Sequence, residues 1–343
     1  MQRLYKNKME ILIIGGTVFL GRALVEAATA RGHRLTLFNR GQTNRDLFPE
    51  VEKLRGDRDG DLSALTNRHW DAVVDTCGYL PRIARQSVNA LDDSVERYVF
   101  ISSLSVYSDI RNAGVDENGK LGTLEDETTE TITGDTYGPL KVLCEKEAQK
   151  VFGDRALIIR PGLIVGQNDP TDRFTYWVNR FARGGDTLIP GHPARAIQFI
   201  DVRDLAEWTI KVIENKKSGV YNANGPEKVL TMKEFVESCV RLSGSLTKPI
   251  WVRDEVLVKL GLTPWSEGTL WIPETDESSR GFFSFDCRKA IRDGLTFRFL
   301  DDTVKATLEW DRTRPRDRQW KAGITKEREE ELLRKVAEMA VDD

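Results

Sequence analysis

Apolar positions in the first half of the chain gather into short continuous runs, set apart by stretches with helical periodicity. The runs are residues 10–14 (EILII), 34–38 (RLTLF), 51–56 (VEKLRG), 72–76 (AVVDT), 98–102 (YVFIS) and 156–160 (ALIIR). Most are β-branched and lack strict alternation, which predicts strands covered on both faces. Residues 20–31, 81–91 and 136–151 instead carry apolar side chains at helical spacing. Strand–helix alternation of this kind predicts a parallel sheet with right-handed crossovers.

After Pro161 the pattern loosens, and seven of the eight tryptophans lie beyond residue 150. One alternation returns: IQFIDV at 197–202, a helix at 204–215, then GVYNA at 219–223. In TMKE, Thr231 and Glu234 have capping-box spacing and predict a further helix start. The tail at 325–340, acidic early and basic late, predicts a helix whose charges suit its dipole. The expected organisation is an α/β doubly wound parallel sheet from residues 9–162 plus 197–223. A smaller α/β substrate-binding lobe would take 163–196 plus 224–343, with a helical tail.

The 343 residues are 40% hydrophobic and 31% charged, as in ordinary globular proteins. A net charge of -3 gives no electrostatic case for nucleic acid or an anionic membrane. The basic start MQRLYKN is followed only by the apolar ILII, too short for a signal peptide core, and Met9 offers an alternative start. No apolar run is long enough to span a bilayer. Four separated cysteines without a C-x-x-C pair suit a reduced, cytoplasmic protein. Three scattered histidines give no metal-ligand spacing, so no metal is expected.

The first strand runs into glycines and then a helix, in ILIIGGTVFLGR. Gly15 and Gly16 allow a tight turn, and Gly21 allows close packing of helix on strand. Backbone N–H groups of Thr17, Phe19 and Leu20 would face a dinucleotide pyrophosphate at the helix N-terminus, as in Rossmann-type folds. Val18 replaces the middle glycine of G-x-x-G-x-x-G, and from the glycines alone an ordinary turn reads equally well. Where such folds place an acid on the adenosine ribose, this chain has Asn39 and Arg40. That pair tolerates or binds a 2′-phosphate, with Arg22 in support, and favours NADP over NAD. Asp57, with Arg58 beside it, is placed to touch the adenine amine.

A second cluster carries the chemistry. The strand YVFIS ends in hydroxyls at Ser102, Ser103 and Ser105, and Tyr137 and Lys141 follow in YGPLK. Four residues apart on a helix, Lys141 would place its ammonium beside the Tyr137 phenol and lower its pKa. Tyr137 then serves as acid/base at an alcohol while Ser103 holds the same oxygen.

The motifs GGTVFLGR, GDRD, SSLSVY, YGPLK, RPGLIVG and IQFIDVRDLAEW, in this order, resemble an extended or atypical short-chain dehydrogenase/reductase of the NAD-dependent epimerase/dehydratase family, in its GGxxxxG branch. The resemblance covers roughly residues 9–224. It implies catalysis by Ser103, Tyr137 and Lys141, the last two also touching the cofactor. It places Arg160, Pro161 and Gly162 on the nicotinamide side and Thr76 near the cofactor. Ser105 and Gln198 would border the substrate, and helices 81–91 and 136–151 would pair protomers in a homodimer. Two departures stand out. Leu104 and Ser105 occupy the positions where sugar-nucleotide dehydratases carry an Asp-Glu pair, which counts against dehydration. DTCGY at 75–79 replaces the usual small-residue stretch, affecting Thr76, Cys77 and Tyr79.

The expected function is NAD(P)-dependent hydride transfer at a secondary alcohol or ketone of a small, sugar-like substrate. An epimerase with retained cofactor is the near alternative. A non-catalytic RNA-binding or dinucleotide-sensing protein is the alternative of another class, although no nucleic acid or membrane partner is expected. Trp265 and Trp271 read as core or interface residues, and the mixed-charge segment 310–321 (WDRTRPRDRQWK) as a solvated arm.

Overall fold

The computed structural model describes residues 8–342, so the basic segment before Lys8 lies outside the described residues. The first half runs β1 (Glu10–Ile14), α1 (Phe19–Ala30), β2 (Arg34–Asn39), β3 (Glu52–Arg55), β4 (Trp70–Asp75), α2 (Pro81–Leu91), β5 (Val95–Ile101), α3 (Gly134–Phe152) and β6 (Ala156–Pro161). Then come β7 (Ile164–Val165), α4 (Arg173–Ala182), β8 (Gly185–Pro190), β9 (Ala196–Ile197), β10 (Ile200–Asp201), α5 (Val202–Glu214) and β11 (Gly219–Ala223). The remainder holds β12 (Leu230–Thr231), α6 (Met232–Ser243), β13 (Thr247–Val252), α7 (Asp254–Lys259), α8 (Arg288–Arg292), α9 (Leu300–Asp311) and α10 (Lys326–Asp342).

Seven strands form one sheet in the order β11-β6-β5-β4-β1-β2-β3, with every neighbouring pair parallel. The order reverses between β1 and β4, the switch point where such sheets open a crevice beyond the strand ends. This is a Rossmann-type α/β fold. Ile11 and Ile13 of β1 face a core shared with α1 and α5, whereas Leu12 and Ile14 face one shared with α2 and α3. Two covered faces explain why the run ILII does not alternate.

Phe174, Trp177, Phe181, Phe235, Leu188 and Trp271 belong to a second core, built by the elements around α4, α6 and α9. Trp271 is fully buried and its indole N–H donates to Asp254 at 2.8 Å, as expected of a core residue. Thr231 caps α6 reciprocally with Glu234, at 3.2 and 2.8 Å. The parallel pairing of β8 with β13 was not anticipated. Thr247, Lys248 and Pro249 interrupt the apolar run of β13, and proline is tolerated in so small a sheet because both strands are edges.

Segment 310–321 departs most from expectation. Asp311 is buried and takes Arg318 at 2.5 Å, and Arg314 reaches the buried Asp172 at 2.7 Å. Arg314 and Arg318 lie 5.6 and 4.2 Å from the Trp320 ring centroid. The alternation of bases, acids and aromatics is therefore anchored in part, while Arg312, Arg316, Asp317 and Lys321 stay exposed as in a solvated arm. Arg314 and Arg318 are paired with acids in α9 and before α4 and stack on the segment's own indole rings.

Candidate active site and dinucleotide cradle

The glycine loop has the backbone its sequence requires. Gly15 and Gly16 adopt φ of 110° and 91°, a region open to glycine. A Cβ on Gly21 would lie 2.6 Å from the Gly16 nitrogen, so only glycine lets α1 start this close to the turn. Val18 is extended (φ -127°, ψ 150°) and nearly half exposed, so its backbone has no need of a glycine. No side chain caps α1 and no acid occupies its first turn, which leaves its N–H groups for an anion. Asn44 steadies the loop by donating to the Thr17 carbonyl at 2.7 Å.

At the end of β2 the Asn39 amide is engaged within the protein. It donates to the Gly15 carbonyl at 3.0 Å and accepts from the Gly41 N–H at 2.9 Å and from Arg55. Asn39 thus ties β2 to the glycine loop. Arg55, the last residue of β3, brings a second cation next to the exposed Arg40. Asp57 accepts from the Asp59 N–H in its own turn. Arg58 is bidentate with the buried Asp75, at 2.7 Å for both bonds, and Tyr98 donates to the same carboxylate at 2.8 Å. Arg58, Tyr98 and the Cys77 N–H hold the Asp75 carboxyl below its ordinary value despite complete burial. Thr76 donates its hydroxyl to the Ile14 carbonyl at 2.8 Å, beside Gly15.

Ser103 and Tyr137 come together. Ser103 follows β5 by two residues and caps a short turn, accepting from the Ser105 N–H at 3.1 Å and donating to the Ser105 hydroxyl at 3.1 Å. Thr133 and Thr136 box the start of α3, which puts Tyr137 in its first turn. A Cβ on Gly138 would overlap the Ser105 carbonyl, so the glycine after Tyr137 lets α3 touch this turn. Burial raises the Tyr137 phenol above its ordinary value, and a hydrogen bond with Ser103 opposes that rise.

Lys141 finds its hydrogen-bond partners in backbone carbonyls. Its ammonium is buried and donates to the Gly78 and Ile101 carbonyls at 2.8 and 2.6 Å. It lies 4.3 Å from the Phe100 ring centroid and 5.4 Å from that of Tyr79. Burial lowers it to about 8. Helical spacing brought the two residues to one face, but a buried ammonium follows the strongest acceptors, here two carbonyls. Tyr79 completes this corner, with its ring centroid 6.5 Å from that of Tyr137 and its phenol raised to about 12, chiefly by burial.

Other expected site residues lie deeper or elsewhere. Arg160 is bidentate with buried Glu145 at 2.9 and 2.6 Å, and donates to the Tyr107 hydroxyl at 2.9 Å. Pro161 closes β6, and Gly162 lies tight against the Asn224 amide. Gln198 joins two segments, accepting from Asn224 and the Phe285 N–H and donating to the Phe285 carbonyl, all at 3.0–3.1 Å. Ser105 is exposed beside Ser103.

Next to the α1 N-terminus lies a cleft of about 240 Å³, which no motif announced. Thr17, Phe19 and Arg22 line one side, and Asp169, Arg314 and Lys321 line the other. Burial raises the Asp169 carboxyl to about 6, above the ordinary 3.8. The folded state therefore holds this proton more tightly than the unfolded chain. The group favours folding below about pH 4 and opposes it above about pH 6. Asp169→Asn should raise stability at pH 7 by about 2 kcal/mol and leave it nearly unchanged at pH 4, measured by urea unfolding.

Comparison with known proteins fits this geometry. The model of the NAD dependent epimerase/dehydratase family matches residues 11–223. The chain is 27% identical over 263 residues to the chloroplast stem-loop binding protein of 41 kDa b from Arabidopsis thaliana. That match takes in 69% of this chain and 64% of the plant protein, so it leaves about a third of the relative unmatched. The Bordetella bronchiseptica enzyme WbmH, solved in complex with NAD+, superposes with a TM-score of 0.67 at 15% identity, over 90% of this chain and 99% of its own. UDP-glucuronic acid 4-epimerase from Bacillus cereus, in complex with NAD, gives 0.65 at 16% identity, over 91% and 99%. At these identities the structures establish the fold. Among the described residues no helix is long and apolar enough to cross a membrane.

Proposed function

The chain belongs to the NAD dependent epimerase/dehydratase family, and from that premise we propose that it moves hydride between a nicotinamide dinucleotide and a secondary alcohol or ketone of a small, sugar-like substrate. The observation that carries this reading is the close approach of the start of α3, with Tyr137 next to Gly138, to the turn that Ser103 caps just after β5, at the same edge of the sheet as the uncapped glycine loop. The cradle fits the dinucleotide: Gly15, Gly16 and Gly21 leave space that side chains would fill, and the N–H groups after Val18 await an anion. Thr17, Phe19 and Leu20 would hold the pyrophosphate through backbone, and Asn39, Arg40 and Asp57 the adenosine half. Thr76, Pro161 and Gly162 would flank the nicotinamide half. When bound, the nicotinamide supplies or accepts the hydride.

The chain's own groups handle the proton. Tyr137 gives its phenolic proton to the forming alkoxide in reduction and recovers it in oxidation. Ser103 hydrogen-bonds the same substrate oxygen and fixes its position. Lys141 holds positive charge beneath Tyr79, within the corner shaped by the Gly78 and Ile101 carbonyls. Leu104, next to Ser103, is buried and apolar. The position where dehydratases hold an acid therefore offers no proton for eliminating water, which supports redox chemistry without dehydration.

NADP is favoured over NAD. No acid stands at the end of β2 to repel a 2′-phosphate, and Arg40 and Arg55 flank Asn39 there. Arg40→Ala is expected to weaken NADPH binding roughly tenfold and leave NADH nearly unchanged in fluorescence titration; equal losses would refute the 2′-phosphate role.

A second reading, epimerisation with retained cofactor, draws on the wall that Arg314 and Lys321 raise beside the cradle, which would slow dinucleotide exchange. Absorbance and mass spectra of the purified protein separate the two. An epimerase carries tightly bound dinucleotide, and an exchanging reductase does not. Stem-loop binding, named for the plant relative, is the alternative of another class. Against it, Arg314 and Arg318 of the basic segment are paired with Asp172 and Asp311.

A further inference from the structure

Tyr79 stands in the catalytic corner without a part in the proton transfer. It belongs to DTCGY, the stretch where this chain departs from the small residues that its resemblance implies. The backbone there is fixed from both sides. A Cβ on Gly78 would lie 2.4 Å from the Phe100 ring, so the chain before Tyr79 packs closely on β5. The Gly78 carbonyl accepts from Lys141 at 2.8 Å, and Leu80 and Pro81 open α2. A side chain on so rigid a support loses little freedom when a ligand meets it. Neither full burial nor a polar partner in the protein accounts for the tyrosine. It is 46% exposed, and its hydroxyl makes no hydrogen bond among the described residues. The Lys141 ammonium lies over the ring, 5.4 Å from its centroid, and the Tyr137 ring stands alongside at 6.5 Å.

An aromatic ring attracts cations and apolar faces alike, but an ammonium already lies against this one and repels a second cation. An uncharged ring compound suits it. A cyclic polyol or sugar carries C–H bonds on its faces and hydroxyls at its rim, so one face can lie on the tyrosine while a rim hydroxyl meets its neighbour. An open-chain polyol has no flat face to offer. We propose that Tyr79 determines substrate specificity: its ring is a shelf for the C–H face of a cyclic polyol or sugar, and it sets a rim hydroxyl toward the Tyr137 phenol. This names the substrate class of the site proposed above and rests on that reading. A nicotinamide ring shares the flat shape, and dinucleotide titration separates that occupant from the substrate.

Steady-state kinetics of the full chain with NADP+ and NAD+ test it, on myo-inositol, D-glucose and UDP-glucose as ring compounds and D-mannitol as the open chain. Turnover is read by absorbance and by NMR of the sugars, for wild type, Tyr79→Leu and Tyr79→Phe, and each protein is titrated with NADPH and NADH. Leucine keeps apolar cover over Lys141, and thermal unfolding checks that both variants fold. Wild type should prefer a ring compound to mannitol, a result that needs no variant. Tyr79→Leu should raise KM for that compound roughly tenfold, with kcat changed far less and dinucleotide affinity held. Tyr79→Phe, which keeps the ring, should restore the wild-type KM. An unchanged KM in Tyr79→Leu overturns the inference alone, as does a wild type that prefers mannitol. Equal losses in the two variants also overturn it, because they assign the effect to the hydroxyl. Weakened dinucleotide binding by Tyr79→Leu overturns it in favour of the nicotinamide ring. A wild type that binds no dinucleotide, or turns over none of these compounds, overturns the proposed function along with it.

Discussion

Tyr137→Phe is expected to cut turnover by about 10²–10⁴-fold while leaving dinucleotide affinity within a factor of two or so of wild type. The substrate for this measurement is whichever secondary alcohol or ketone wild type accepts in a screen of sugars and sugar nucleotides with NADPH or NADH. The ring stays in place, so the substitution removes the phenolic hydroxyl but not the packing against Tyr79. Unchanged turnover would mean that another group handles the proton. Loss of cofactor binding together with turnover would mean that the residue is structural. Both results would count against the assignment.

The second large effect is on stability. Glu145→Ala is expected to cost about 3–5 kcal/mol in urea unfolding, because it leaves the Arg160 guanidinium charged and unpaired in the core. The two side chains are 2% and 3% exposed, and their bidentate bond joins α3 to β6. Through Tyr107, which donates to Asn222 at 2.7 Å, the same network reaches β11. Replacing both partners by apolar residues, as in Glu145→Leu with Arg160→Met, should recover most of the loss, since a buried pair offsets its own desolvation only partly. A double variant no more stable than Glu145→Ala would show that the pair contributes through geometry rather than through mutual neutralisation.

The parts of this fold legible in the sequence were those written in local pattern. The continuous run at β1 announced a strand covered on both faces, and Gly15, Gly16 and Gly21 announced the turn that follows. Thr231 with Glu234 marked a helix start. Ser103 and Tyr137 could be placed after a strand and at a helix start because each of those ends carries a local signature.

What escaped was decided by distant partners. The Lys141 ammonium bonds the Gly78 and Ile101 carbonyls, 63 and 40 residues away, and helical spacing alone gives no sign of either partner. Arg314 meets Asp311 three residues earlier and, more closely, Asp172, 142 residues earlier, and nothing near residue 314 reveals the second partner. For the same reason 310–321 read as a solvated arm although it lines the cleft. β8 and β13 pair in parallel across a long separation, with Pro249 breaking the apolar pattern. Asp169 carries no motif, and only its burial and its unpaired oxygen single it out.

The central claim is that the uncapped glycine loop holds a nicotinamide dinucleotide for the Ser103–Tyr137 pair. Fluorescence titration of the purified full chain, freed of any copurified nucleotide, with NADPH and NADH tests it most directly. The account predicts saturable binding of both in wild type and in Tyr137→Phe, tighter for NADPH. Absence of saturable binding of either dinucleotide by the wild-type chain would contradict it.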